Sequence, residues 1–202
     1  MFSIIRLAIF FVFLGCPIVL IKRYKITSRK IICVVLTSVS IVLIVALAFF
    51  PFENIFITFG SPKEAYEYYS GGKSNVVLVV EGKNCDFVVD QKHDSDTYLI
   101  IPKTTAGWKI GVGLDTKKVV QKLSEGIVIN VYRYKNTSDF FITVLDTNGG
   151  KSVVTDDYET QFHSLERENN ALGKTFVTYY AYVSNLDPQY IVTVNGNDIV
   201  LP

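Results

Sequence analysis

The chain is short of the residues that most often carry chemistry. It has three cysteines, two histidines, one methionine and one tryptophan in 202 residues. Two of the cysteines, Cys16 and Cys33, fall in the apolar N-terminal quarter, so Cys85 has no partner for a disulfide in the rest of the chain. Histidine occurs only as His93 and His163, which gives no zinc-ligand spacing. No glycine-rich phosphate cradle and no serine-nucleophile elbow is present. Acid is missing altogether before Glu53.

That last absence divides the chain. Six of the 20 basic residues (Arg6, Lys22, Arg23, Lys25, Arg29 and Lys30) precede Glu53, leaving 14 against all 19 acids in the remainder. Such asymmetry marks a chain with two differently solvated parts. An acidic remainder also argues against a nucleic-acid partner.

The N-terminal quarter holds two apolar runs, Phe2–Ile21 and Ile31–Phe52, separated by a basic loop at 22–30. The second run carries no charge, and a span of hydrocarbon needs roughly 20 such residues. Gly15 and Pro17 interrupt the first run, and Arg6 lies near its start. A cleaved signal peptide is one reading, but no small-x-small site follows. A lipoprotein signal is another, from Gly15-Cys16, although the chain continues with apolar residues. The preferred expectation is two transmembrane α-helices with the loop in the cytoplasm. The lipid bilayer is then a partner, the location is the cell membrane, and the N-terminus and everything after Glu53 lie outside.

After residue 52 the pattern becomes that of a mainly β (α+β) domain. Ser61, Pro62 and Glu64 form a helix-start signature, and Gly71-Gly72 a stop. Strands are expected at Asn75–Val80, Cys85–Asp90, Tyr98–Ile101 and Trp108–Ile110, with Pro102 ending the third. This makes a short helix on a small antiparallel sheet, assigned to residues 53–112. A second unit, 113–202, is expected to be β-sandwich-like, from Ile127–Tyr134, Asp139–Asp146, Ser152–Val154, Thr175–Val183, Tyr190–Val194 and Asp198–Leu201. Thr116–Leu123 reads as a short helix. The stretch from Thr155 to Asn169 reads as either a helix or a strand edge, with a lean to helix.

Three candidate chemistries follow. The first is a thiol nucleophile, Cys85 with His93 or His163 as base. It would resemble sortase transpeptidases, but both histidines follow the cysteine and the "NCDF" context differs from that family. The more economical reading of Cys85 is core packing. The second is a metal site at "HDSD" (His93, Asp94, Asp96) or "DTNGGKSVVTDD". Both read better as turns, and no metal or other cofactor is expected. The third is a ligand platform on "FVTYYAYV", where Tyr179, Tyr180 and Tyr182 combine apolar area with a polar handle.

The segment "FFPFENIFITFGSPKEAYEYY", Phe49 to Tyr69, resembles a group of Gram-positive bacterial membrane proteins. They share N-terminal helices, an "FPxEN" step and an "F-x-SPxxA" entry into an extracytoplasmic domain. The resemblance implies an architecture and no activity. Together these readings give a non-enzymatic binding or accessory module, with another envelope protein or a cell-wall component as its partner.

Overall fold

A computed structural model describes residues 11, 15, 19, 29–49, 51–91, 96–148, 151–169 and 174–201. It contains the helices α1 (Arg29–Phe49) and α2 (Pro62–Ser70), 3-10 turns at Phe52–Ile55 and Gly113–Asp115, and twelve strands.

The strands form three antiparallel sheets. The first holds β1 (Val76–Val80), β2 (Cys85–Gln91), β3 (Asp96–Thr104) and β4 (Gly107–Trp108) in that order. The second contains β5 (Thr116–Ser124), β6 (Ile127–Tyr134), β7 (Asp139–Asp146), β9 (His163–Asn169) and β10 (Lys174–Ser184), in the order β5-β6-β7-β10-β9. The third runs β12-β11-β8, with β8 at Val154–Asp156, β11 at Ile191–Val194 and β12 at Asn197–Val200.

Alternation along the strands explains how the layers stack. In β6, Ile127, Ile129 and Val131 meet Val192, Val194, Tyr190 and Leu201 of the three-stranded layer. On the opposite face Tyr132 and Tyr134, with Phe141 and Tyr180, meet Val80, Cys85, Phe87, Val89 and Ile100 of the first sheet. The far face of that first sheet packs Val88, Leu99 and Ile101 against Ala65 and Tyr66 of α2. The order is therefore helix, sheet, sheet, sheet. The five-stranded sheet is covered on both faces, and the chain is mostly β and sandwich-like. The chain passes from the first sheet to the second between β4 and β5, close to the expected boundary at 112/113. One aromatic cluster spans that boundary, so the two parts share a core.

Helix α2 forms as its sequence dictates. Ser61 Oγ accepts from Glu64 N (3.2 Å), and Glu64 Oε2 accepts from Gly60 N (3.0 Å). Gly71 ends the helix with φ 74°, a conformation costly for any residue with a Cβ.

Several expectations are corrected. Among the described residues no helix is long and apolar enough to cross a membrane. Helix α1, Arg29–Phe49, opens on two charged residues, Arg29 and Lys30. The two transmembrane helices, and with them the two-pass cell-membrane location, are overturned on that ground. The loop at 22–28, Arg6 and Cys16 lie outside the described residues.

Thr116–Leu123 is strand β5, not a helix. It pairs along β6 through a turn at Glu125 and Gly126, which take φ 46° and 87°. That pairing overrides the weak helical pattern. The 155–169 stretch is also not helical. The Asp156 carboxylate accepts from Tyr158 N (3.1 Å) and Thr160 N (2.8 Å), closing a turn instead of capping a helix. The chain then enters β9, which pairs with β10. Pro102 does not stop β3. It sits opposite Cys85, and its carbonyl accepts from Lys109 N (3.0 Å).

Candidate functional site

The β1–β2 turn, Glu81 to Asn84, folds down onto the second sheet. Gly82 is required there, because a Cβ would stand 2.3 Å from the Cys85 carbonyl oxygen and about as close as contact allows to the rings of Phe141 and Tyr182. Beneath the turn lies Asp139, the fully buried first residue of β7. Its Oδ2 accepts from Asn84 Nδ2 (2.8 Å), Asn84 N (3.3 Å) and, weakly, Cys85 Sγ (3.8 Å). Its Oδ1 accepts from Tyr182 OH (2.7 Å). Of these four donors, the three from Asn84 and Cys85 tie the first sheet to the second, Tyr182 belongs to the same sheet as Asp139, and charge-assisted bonds of this kind offset desolvation.

Tyr182 projects from this anchor into an open cleft of about 400 Å³ beside β1. Val79, Val80 and Glu81 form one wall, and Gln161 and His163 the other. Burial, then the bond to the Asp139 carboxylate, pushes the Tyr182 phenol above its ordinary pKa, so it stays a neutral hydroxyl. The cleft therefore offers an imidazole, an amide, a carboxylate and a phenol ring beside aliphatic surface. These groups suit hydrogen bonding and apolar contact.

Of the residues expected to form a tyrosine platform, only Tyr182 lines this cleft. Tyr180 is 3% exposed and packs on Phe87 in the inter-sheet cluster. Tyr179 faces the opposite layer. Its hydroxyl donates to Ser152 O (2.6 Å) and accepts from Ser152 N (2.9 Å). Because both faces of the five-stranded sheet are covered, both alternating sets in "FVTYYAYV" turn inward. An exposed platform of Tyr179 and Tyr180 is corrected for that reason.

Cys85 is wholly buried under the turn and is not part of the cleft. Burial first, then the nearby charges of Asp139 and Asp86, pushes its thiol far above the usual range. A thiolate nucleophile is disfavoured at such a position. His163 lies in the cleft wall, and His93 is outside the described residues. Among the described residues no group of three or more His, Cys, Asp or Glu side chains is placed to hold a metal ion. Asp96 of the "HDSD" stretch opens β3.

No family model, curated protein or solved structure matches this chain. The fold and the cleft therefore rest on their own geometry.

Sequence reasoning missed Asp139 as the central anchor. After "KNTS" an aspartate reads as a turn residue, and nothing local says that four donors converge on it. It also missed the cleft, whose walls come from segments about 80 residues apart in the chain. Its one legible signal is the unbroken aliphatic run of β1.

Proposed function

We propose that the chain is a non-enzymatic binding module that takes an extended segment of a partner protein along strand β1. The observation that carries this is the state of that strand. Val76–Val80 is entirely aliphatic, has no proline or charge, and among the described residues pairs only with β2. Edge strands of globular proteins are usually blunted by such residues, and a bare one is a template for strand addition. The cleft beside it supplies side-chain selectivity, with Tyr182 and His163 placed to read one face of an incoming strand. The irregularity at Val77, where the register shifts between Val76 and Leu78, confines regular pairing to the Leu78–Val80 half next to the cleft. The likeness of residues 49–69 to bacterial membrane proteins adds no activity to this reading.

The test is amide hydrogen exchange on the full chain with a synthetic peptide of alternating valine and threonine or serine. Added protection at Leu78–Val80, lost in Val79→Pro and weakened in His163→Ala, supports strand capture. Unchanged exchange at β1 across a set of such peptides overturns it.

A further inference from the structure

A second concavity, separate from the β1 cleft, has a different chemical character. It has a volume of about 440 Å³ and lies where the 51–54 turn, the end of β3, the Lys109–Asp115 segment and the end of β6 meet. Pro51, Pro102, Ile110, Val112 and Tyr134 supply apolar wall. Asn54 holds it open and in place: its Nδ2 donates to Ile110 O (3.0 Å) and its Oδ1 accepts from Ile110 N (2.7 Å).

Two ammonium groups reach this cleft, and they are differently occupied. Lys135 is paired with Asp115 at 3.3 Å and stands over the Tyr134 ring. Lys109 Nζ donates to two backbone carbonyls, Asn54 O (2.7 Å) and Ile57 O (2.8 Å). An ammonium has three donors, so one N–H of Lys109 remains. Among the described residues no carboxylate forms an ion pair with it. The result is one fixed, unpaired positive charge in a half-buried position against an apolar wall. Two carbonyls orient that charge without neutralising it.

We infer that this cleft binds a small carboxylate carrying an apolar group, with the carboxylate on Lys109 and the apolar group against Pro51, Pro102 and Val112. Charge complementarity selects the carboxylate, because Lys109 and Lys135 outnumber Asp115. A free short-chain acid and the C-terminus of a peptide ending in an apolar residue share this chemistry. The inference does not depend on strand capture at β1.

The experiment is a titration of the full chain followed by amide chemical shifts. Hexanoate is compared with hexanol, and acetyl-Ala-Ala-Leu with its C-terminal amide. Saturable shifts at Ile110, Val112 and Tyr134 with either acid are expected, with the neutral analogue about tenfold weaker. Which acid binds assigns the source. Lys109→Met is expected to abolish the preference for acid. That lysine also holds the 54–57 turn, so Val112→Trp, which fills the cleft and leaves Lys109 in place, is the second variant and is expected to remove binding by both acids. Equal binding of acid and neutral analogue overturns the inference, as does the absence of saturable shifts with both acids. Retained binding in a folded Val112→Trp chain overturns it as well. Failure at β1 is read separately, from hydrogen exchange at Leu78–Val80.

Discussion

The two faces of the five-stranded sheet are built from the same strands and do different work. One face is largely aliphatic. Ile127, Ile129, Val131, Ile142, Val144 and Val177 meet Val192, Val194 and Leu201 across it. The other is largely aromatic. Phe87 lies 5.2 Å from Phe141 and 5.9 Å from Tyr132, ring centre to ring centre, and Tyr98 and Tyr132 join hydroxyl to hydroxyl. The aliphatic face carries only two phenols, Tyr179 and Tyr190, whose hydroxyls bond Ser152 and Asp156 at its margin. Phenols bring hydroxyls that need partners, and those partners are what the aromatic interface is organised around: Asp139, its donors, and the cleft where Tyr182 emerges. A sheet covered on both faces thus keeps one interface for packing and opens the other at its edge.

The contrast is tested most strongly by deleting its centre. Phe141→Ala is expected to lower the unfolding free energy by about 3–5 kcal/mol, and Ile129→Ala on the aliphatic face by about 2–5 kcal/mol. Denaturant titration measures both. If the aromatic face tolerates its deletion with under about 1 kcal/mol lost, that face is not a packed core.

Next in size is the anchor. Asp139→Ala strands the donors of Asn84 and Tyr182 and is expected to cost about 2–3 kcal/mol. It also frees Tyr182, so peptide binding at the β1 cleft should weaken beyond what the stability loss explains. Unaltered binding in the folded variant would separate the anchor from the site. Gly82→Ala presses a Cβ onto the Cys85 carbonyl and is expected to cost about 1–3 kcal/mol by forced backbone movement.

Alkali offers a third comparison. Burial, followed by the neighbouring hydroxyl or carboxylate of Tyr98 or Asp96, raises the phenols of Tyr132 and Tyr180 on the aromatic face, and burial with Asp156 raises Tyr190 on the other. These groups keep their protons in the fold where the unfolded chain releases them. Their contribution is full below about pH 10 and is lost as pH rises from there toward the folded values. Thermal melts should be flat to about pH 9 and then fall. Tyr132→Phe combined with Tyr180→Phe should flatten that fall more than Tyr190→Phe does. The reverse order would place the greater alkaline strain on the aliphatic side.

The smallest stability effect belongs to the cleft wall. His163→Ala is expected to change stability by no more than about 0.5 kcal/mol while weakening peptide binding. A large stability loss would make His163 a packing residue.

Local patterns made much of the fold legible. Helix α2 was readable from Ser61, Pro62, Glu64 and Gly71, because capping needs only residues within one turn. Strands β6 and β7 fall on the expected residues, Ile127–Tyr134 and Asp139–Asp146. Their alternation is strong, and it is the same whichever sheet covers them. Strand β5 was misread since its lysines and Val119-Val120 satisfy either period over so short a run. The N-terminal expectation rested on two apolar runs and the basic loop between them, and among the described residues no helix is long and apolar enough to cross a membrane.

Alternation in β10 determined that Tyr180 and Tyr182 share one side and Tyr179 the other. Only the tertiary structure decided that both sides are covered, that Tyr179 and Tyr180 are core, and that Tyr182 stands at an opening. Likewise the sequence by itself made Cys85 a lone thiol outside the N-terminal quarter, and the fold sealed it beneath the 81–84 turn against Asp139. The physical reason is common to all of these. Periodicity and capping are set by neighbours a few residues away. Burial, hydrogen-bond partners and clefts are set by which distant strands meet, and here the decisive pair, the β1–β2 turn and the start of β7, are 55 residues apart.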